Sequence, residues 1–112
     1  DLSEGGLAIT AAEMTMAGGY GAELNLRKVP GEALKRDDFA LFSESNSRFI
    51  VEVSEKDQQA FEALAKWKAC KAIGKVTKNP RLVINGLRGS VVVDAPLTDL
   101  RASWKRTLSS EV

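Results

Sequence analysis

Six consecutive polar residues, Ser43, Glu44, Ser45, Asn46, Ser47 and Arg48, run directly into the apolar segment 49–53. The run crowds hydroxyls, a carboxylate, an amide and a guanidinium into one short stretch. An arginine offers N–H donors in a planar fork that grips a phosphate through two parallel bonds, and serine hydroxyls fill the remaining acceptor positions. Binding groups concentrate on loops carried by rigid elements. Anion binding is therefore one chemistry this stretch fits. The other reading is an Asn/Ser turn with a solvated arginine, and local composition leaves both open.

A second candidate lies at the start of the chain, where Gly5 and Gly6 stand at the head of a helix-like segment. Without side chains, their backbone N–H groups can approach an anion closely, aided by the positive end of the helix dipole. That dipole contributes roughly 0.3–1 kcal/mol at exposed positions, so specificity needs partners. Glu4 would oppose an anion and is expected to point away; a plain glycine turn is the alternative. Gly18-Gly19-x-Gly21 follows a helix and precedes a strand, the reverse of the order a dinucleotide fingerprint requires. There is no histidine, which removes the usual general base and zinc ligand. The single Cys70 has no disulfide partner and no histidine to activate it, so it reads as a structural thiol.

The bulk numbers narrow the classes. A chain of 112 residues fits one domain with a core independent of metals and disulfides. Apolar residues make up 44% and charged residues 28%, ordinary for a globular protein. With 16 basic and 15 acidic side chains the net charge is +1, so no global field recruits nucleic acid or a membrane. The basic residues Lys71, Lys75, Lys78, Arg81 and Arg88 read as a solvated strand face. No apolar run approaches the roughly 20 residues that span a bilayer, and the acidic start lacks the basic region of a signal peptide. A cytoplasmic location is expected.

The pattern of elements must position the two candidate loops. Ser3 can cap a helix with Glu4 in its first turn, carrying Leu7, Ala8, Ala11, Ala12 and Met14 as a broad buried surface to about Ala17, where Gly18 and Gly19 stop it. Strands are expected at 22–26, 48–53, 72–76, 81–84 and 90–93, from alternation and from the turn residues between them. Asn85-Gly86 fits a tight hairpin turn, which Leu87-Arg88-Gly89 would lengthen. A short helix at 37–42 would pack Phe39 with Leu41 or Phe42 inward. Ser54 to Asp57 resembles a capping box ahead of a helix aligning Phe61, Leu64 and Trp67, and a final helix aligns Leu97, Leu100, Trp104 and Leu108 as core residues. The sum is an α/β (α+β) sandwich, a mixed sheet of about 4–5 strands covered by about 3 helices. The strands at 22–26 and 48–53 are expected to be sheet neighbours that bring both candidate loops to one edge.

In order, DLSEGGL, AEM, AGGYGAELNL, VP and LFSESNSRFIVEV resemble the C-terminal domain of the aminoimidazole ribonucleotide synthetase superfamily. D-x-S-x-GG alone is weak; with LFSES-x-SR at this distance the match is specific, and it extends through 73–77 to the closing segment 96–108. Within the superfamily the wording is most similar to the phosphoribosylformylglycinamidine synthase family, large (synthetase) subunit II. That resemblance implies a role in ATP- and glutamine-dependent amidation of formylglycinamide ribonucleotide in purine biosynthesis. ATP would phosphorylate the amide oxygen and ammonia would displace the phosphate.

By the same resemblance, ATP and magnesium are held mainly by a companion N-terminal domain of the same chain. Further partners are a glutaminase subunit and a small subunit. The C-terminal domain would help hold the substrate's ribose phosphate, a role that falls on Asp1, Ser3, Gly5, Gly6, Ser43, Glu44, Ser45 and Arg48, with no catalytic residue or metal ligand among them. Glu44 would orient Arg48, accept backbone N–H bonds or take a ribose hydroxyl.

The opening at Asp1 inside the motif leads to the expectation of a domain cut from a longer chain, inactive in isolation. The ending after PLTDLRASWKRTL looks like the C-terminus of the second of two pseudo-repeats, and which repeat carries the site stays open. Rival readings are thiamine monophosphate kinase, selenophosphate synthetase or the hydrogenase-maturation type, or a non-catalytic interaction module.

Overall fold

The computed structural model describes residues 5–29, 36–43, 49–65 and 70–109. Within them the helices are α1 (Gly6–Gly18), α2 (Asp37–Phe42), α3 (Gln58–Ala65) and α4 (Leu97–Ser109), and the strands are β1 (Gly21–Asn25), β2 (Gly74–Thr77), β3 (Arg81–Asn85) and β4 (Val91–Pro96). Two 3₁₀ turns, Leu26–Lys28 and Glu55–Asp57, precede α2 and α3.

Glycines set both ends of α1. Gly5 (φ 84°) and Gly6 (φ 74°) take left-handed backbone values that a Cβ disfavours. The N-cap is therefore Gly5 rather than the expected Ser3, and the first turn contains no acidic residue. At the other end Gly19 (φ 76°) donates its N–H to the Thr15 carbonyl at 2.9 Å, the expected left-handed stop. Arg101 on α4 donates from Nη2 to the Met16 carbonyl at 3.0 Å, placing a cation at the negative end of the helix. Leu7, Ala8, Ala11 and Thr15 are buried along one face, and the Thr15 hydroxyl is satisfied by the Ala12 carbonyl at 2.8 Å. The opposite face is open, with Ile9 and Met14 exposed by 39% and 37%. The broad buried surface expected of this helix is confined to one side.

The sheet order is β2-β1-β3-β4; β1 runs parallel to β3, and the other pairs are antiparallel. Side chains alternate across the sheet. Ala22 and Leu24 align with Leu82 and Ile84 on the inner face, while Lys75, Glu23, Val83 and Asp94 form a row on the other. That outer row is held by exposed ion pairs, Lys75–Glu23 at 4.0 Å and Arg81–Asp94 at 2.8 Å. Pairs of this kind contribute at most about 1 kcal/mol. The inner face supports a core of Leu7, Ala8, Ala11, Leu24, Leu26, Ala40, Leu41, Leu82 and Ile84, joining α1, α2 and the two central strands.

The result is an α+β fold with a mixed sheet of four strands and four helices among the described residues. Three expectations fail. Residues 49–54 form no strand; Phe49 and Val51 are exposed, and only Ile50 packs on the core. The expected partner β1 is already paired on both sides, by β2 and β3, so β1 offers this segment no edge. Trp104 on α4, expected in the core, is 52% exposed, and Leu64 on the aligned face of α3 is 78% exposed; of the two alternatives on α2, Leu41 is buried and Phe42 exposed. Ser54 Oγ donates to Asp57 Oδ2 at 2.7 Å instead of capping a backbone N–H, and the turn it starts is 3₁₀. The β3–β4 connection is the longer alternative: Gly86 N–H bonds the Ser90 carbonyl at 2.7 Å, with Gly89 at φ 90°. Among the described residues no helix is long and apolar enough to cross a membrane.

Candidate functional site

The start of α1 and the end of α2 meet through their backbones. A Cβ on Gly6 would lie 2.6 Å from the Phe42 carbonyl carbon, 2.8 Å from Phe42 Cα and 2.8 Å from the Ser43 carbonyl oxygen. Only a residue without a side chain allows this approach. The contact is set by packing behind it, because Leu7, Ala8 and Ala11 of α1 share one core with Ala40 and Leu41 of α2. Gly5, Gly6 and Ser43 are thus assembled at one edge from segments far apart in sequence.

This edge brings a helix terminus and a serine together. It contains the N-terminal end of a 13-residue helix, where backbone N–H groups and the dipole favour negative charge. Ser43 is partly buried, and its carbonyl oxygen faces Gly6. The other residues assigned to phosphate from the sequence, Asp1, Ser3, Glu44, Ser45 and Arg48, lie outside the described residues. The route by which Gly6 and Ser43 meet differs from the expected one: they are joined by α1–α2 packing and not by adjacent strands.

One residue escaped the sequence reading. Asp37, at the start of α2, accepts the Leu87 N–H on Oδ1 at 2.7 Å, a bond spanning fifty residues. No periodicity announces such a bond; an acid in the first turn of a helix was the only signal. Elsewhere, Glu13, Met16, Ala17, Arg101, Trp104 and Lys105 line a shallow groove between α1 and α4. Cys70 is exposed. Lys71, Lys75, Lys78 and Arg88 are exposed, and Lys75 and Arg81 pair with acids, which makes this a solvated surface. Among the described residues no group of three or more Cys, Asp or Glu could hold a metal ion.

The family model of the AIR synthase related protein, C-terminal domain, matches residues 1–86. Solved structures with a similar fold include Thermotoga maritima PurL complexed with ATP, at 24% identity and a TM-score of 0.74, over 89% of this chain and 18% of that one. The same protein complexed with FGAR matches at 24% identity and TM-score 0.74, over 89% of this chain and 17% of that one. Phosphoribosylformylglycinamidine synthase II from Thermotoga maritima matches at the same identity and TM-score, with 89% and 17% covered. The chain therefore spans less than a fifth of the length of the structures it matches.

Proposed function

The chain belongs to the AIR synthase related protein C-terminal domain family, and from that premise we propose that residues 1–112 form a single C-terminal domain of a phosphoribosylformylglycinamidine synthase. The reaction is the ATP- and glutamine-dependent amidation of formylglycinamide ribonucleotide in the cytoplasm. This domain grips the substrate's ribose phosphate. The supporting observation is the backbone contact of Gly6 with Phe42 and Ser43, which puts a helix N-terminus and the head of the serine-rich run at one edge.

Each group then has a definite task. The N–H groups of the α1 first turn point along the helix axis at the anion and need no reorganisation when it arrives. The Ser43 and Ser45 hydroxyls and the Arg48 guanidinium supply directional bonds to phosphate oxygens. Asp1 and Ser3 belong to the same phosphate cradle, and Glu44 orients Arg48, accepts backbone N–H bonds or takes a ribose hydroxyl. Holding the phosphate fixes the distant amide for attack, which is where binding energy becomes rate. As the resemblance implies, ATP and magnesium are assigned to a companion domain, and no step is derived through them. The glutaminase and small subunits complete the proposed assembly.

The test is an assay of the full-length protein with formylglycinamide ribonucleotide, ATP and glutamine. Amidine formation is expected, with KM for the ribonucleotide raised in Ser43→Ala and Arg48→Ala. Phosphorylation of thiamine monophosphate, with no turnover of the ribonucleotide, would move the chain to another branch of the family.

A further inference from the structure

We infer that Asp37 is a positioning residue: by tying the start of α2 to the β3–β4 loop, it sets where Ser43 stands against Gly6. The ligand side of this inference rests on the phosphate reading above; the geometric side does not.

Helix α2 is only six residues long, about 9 Å at 1.5 Å per residue. A helix this short transmits a shift at one end to the other. Its middle is anchored by Ala40 and Leu41, 1% and 6% exposed. Its far end is the Phe42–Ser43 backbone against Gly6. Its near end is held by the Asp37–Leu87 bond, partly buried. A pivot with one pinned end can rock, whereas one pinned at both ends cannot.

The loop side is built to receive the carboxylate. A Cβ on Gly86 would fall 2.7 Å from Val92 Cγ1 and 2.8 and 3.0 Å from the two Asp37 oxygens, so glycine there leaves the space that Val92 and the carboxylate occupy. The loop is itself fixed by its internal bonds and by Leu87, which packs against the core. The neighbouring acid behaves differently. Asp38 pairs locally with Arg36, at 3.0 and 2.7 Å, on the exposed side. Two adjacent aspartates in one helical turn thus have separate tasks, and Asp38 is a natural control.

The experiment uses the ¹⁵N-labelled 112-residue chain and inorganic phosphate as probe. Two readouts are recorded: the nuclear Overhauser contact between Gly6 Hα and Phe42 Hα, and the amide shifts of Gly5, Gly6 and Ser43 during titration. Asp37→Ala is expected to lose the Gly6–Phe42 contact while the contacts within the sheet persist, and to weaken phosphate by about tenfold. Asp37→Asn keeps a carbonyl acceptor for Leu87 N–H and is expected to restore both; Asp38→Asn is expected to change neither.

A Gly6–Phe42 contact that survives in Asp37→Ala while the sheet contacts persist overturns the inference. Should Asp37→Ala fail to fold, Gly86→Ala displaces the carboxylate from the loop side and is read in the same way. If phosphate moves no amide in the unaltered chain, yet the contact is lost selectively in the variant, the positioning role stands and the phosphate reading falls.

Discussion

A methyl group at Gly6 would meet three backbone atoms within 2.8 Å and would sit on a residue at φ 74°. Backbone cannot move aside as a flexible side chain can, so Gly6→Ala is expected to destabilise the chain by about 1–3 kcal/mol. Urea unfolding checks this. Gly18 is the matched comparison: nothing lies within 4 Å of its Cβ position, and it is inside the last turn of α1. Gly18→Ala is expected to stabilise by about 0.4–1 kcal/mol, chiefly through the unfolded chain. In the full-length protein, Arg48→Ala is expected to weaken ribonucleotide binding by about 1.5–3 kcal/mol, the scale of a charge-assisted hydrogen bond; calorimetry reads it directly. At this scale the closeness of Gly6 and Ser43 was legible, because the two loops were expected to lie side by side at one edge. The long-range bond of Asp37 was not, since nothing local identifies an acceptor's partner fifty residues away.

Among the elements, α1 depends on a residue of another helix to finish its C-terminus. Arg101→Met keeps much of the stem that packs near Met16 but removes the donor to its carbonyl. The expected cost is about 0.5–1 kcal/mol, with faster amide exchange in the last turn of α1 and unchanged exchange in β3. Elements with punctuation at both ends were read well: α2 falls at Asp37–Phe42 as expected, and Gly19 stops α1. The segment 49–53 misled because an apolar β-type run shows only that a strand would be tolerated. Whether it forms depends on a free edge, and β1 has none. Helical spacing likewise identified a face on α3 and α4 but not what covers it, so Leu64 and Trp104 stand exposed.

For the whole molecule, the mixed sheet with β1 and β3 parallel at its centre carries α1 and α2 on its inner face, and their packing creates the edge where Gly6 meets Ser43. An edge is not a catalyst. The 112-residue chain is expected to form no amidine from ribonucleotide, ATP and ammonia; product formation by the purified chain would overturn the assignment of ATP to a companion domain. The central claim, that this edge holds a substrate phosphate, is tested most directly by amide-shift mapping with formylglycinamide ribonucleotide and with its dephosphorylated riboside. The account predicts that Gly5, Gly6 and Ser43 shift together with one dissociation constant for the ribonucleotide and stay still for the riboside. Unmoved amides at these three residues, with shifts instead at Lys71, Lys75, Lys78 and Arg88, would contradict it.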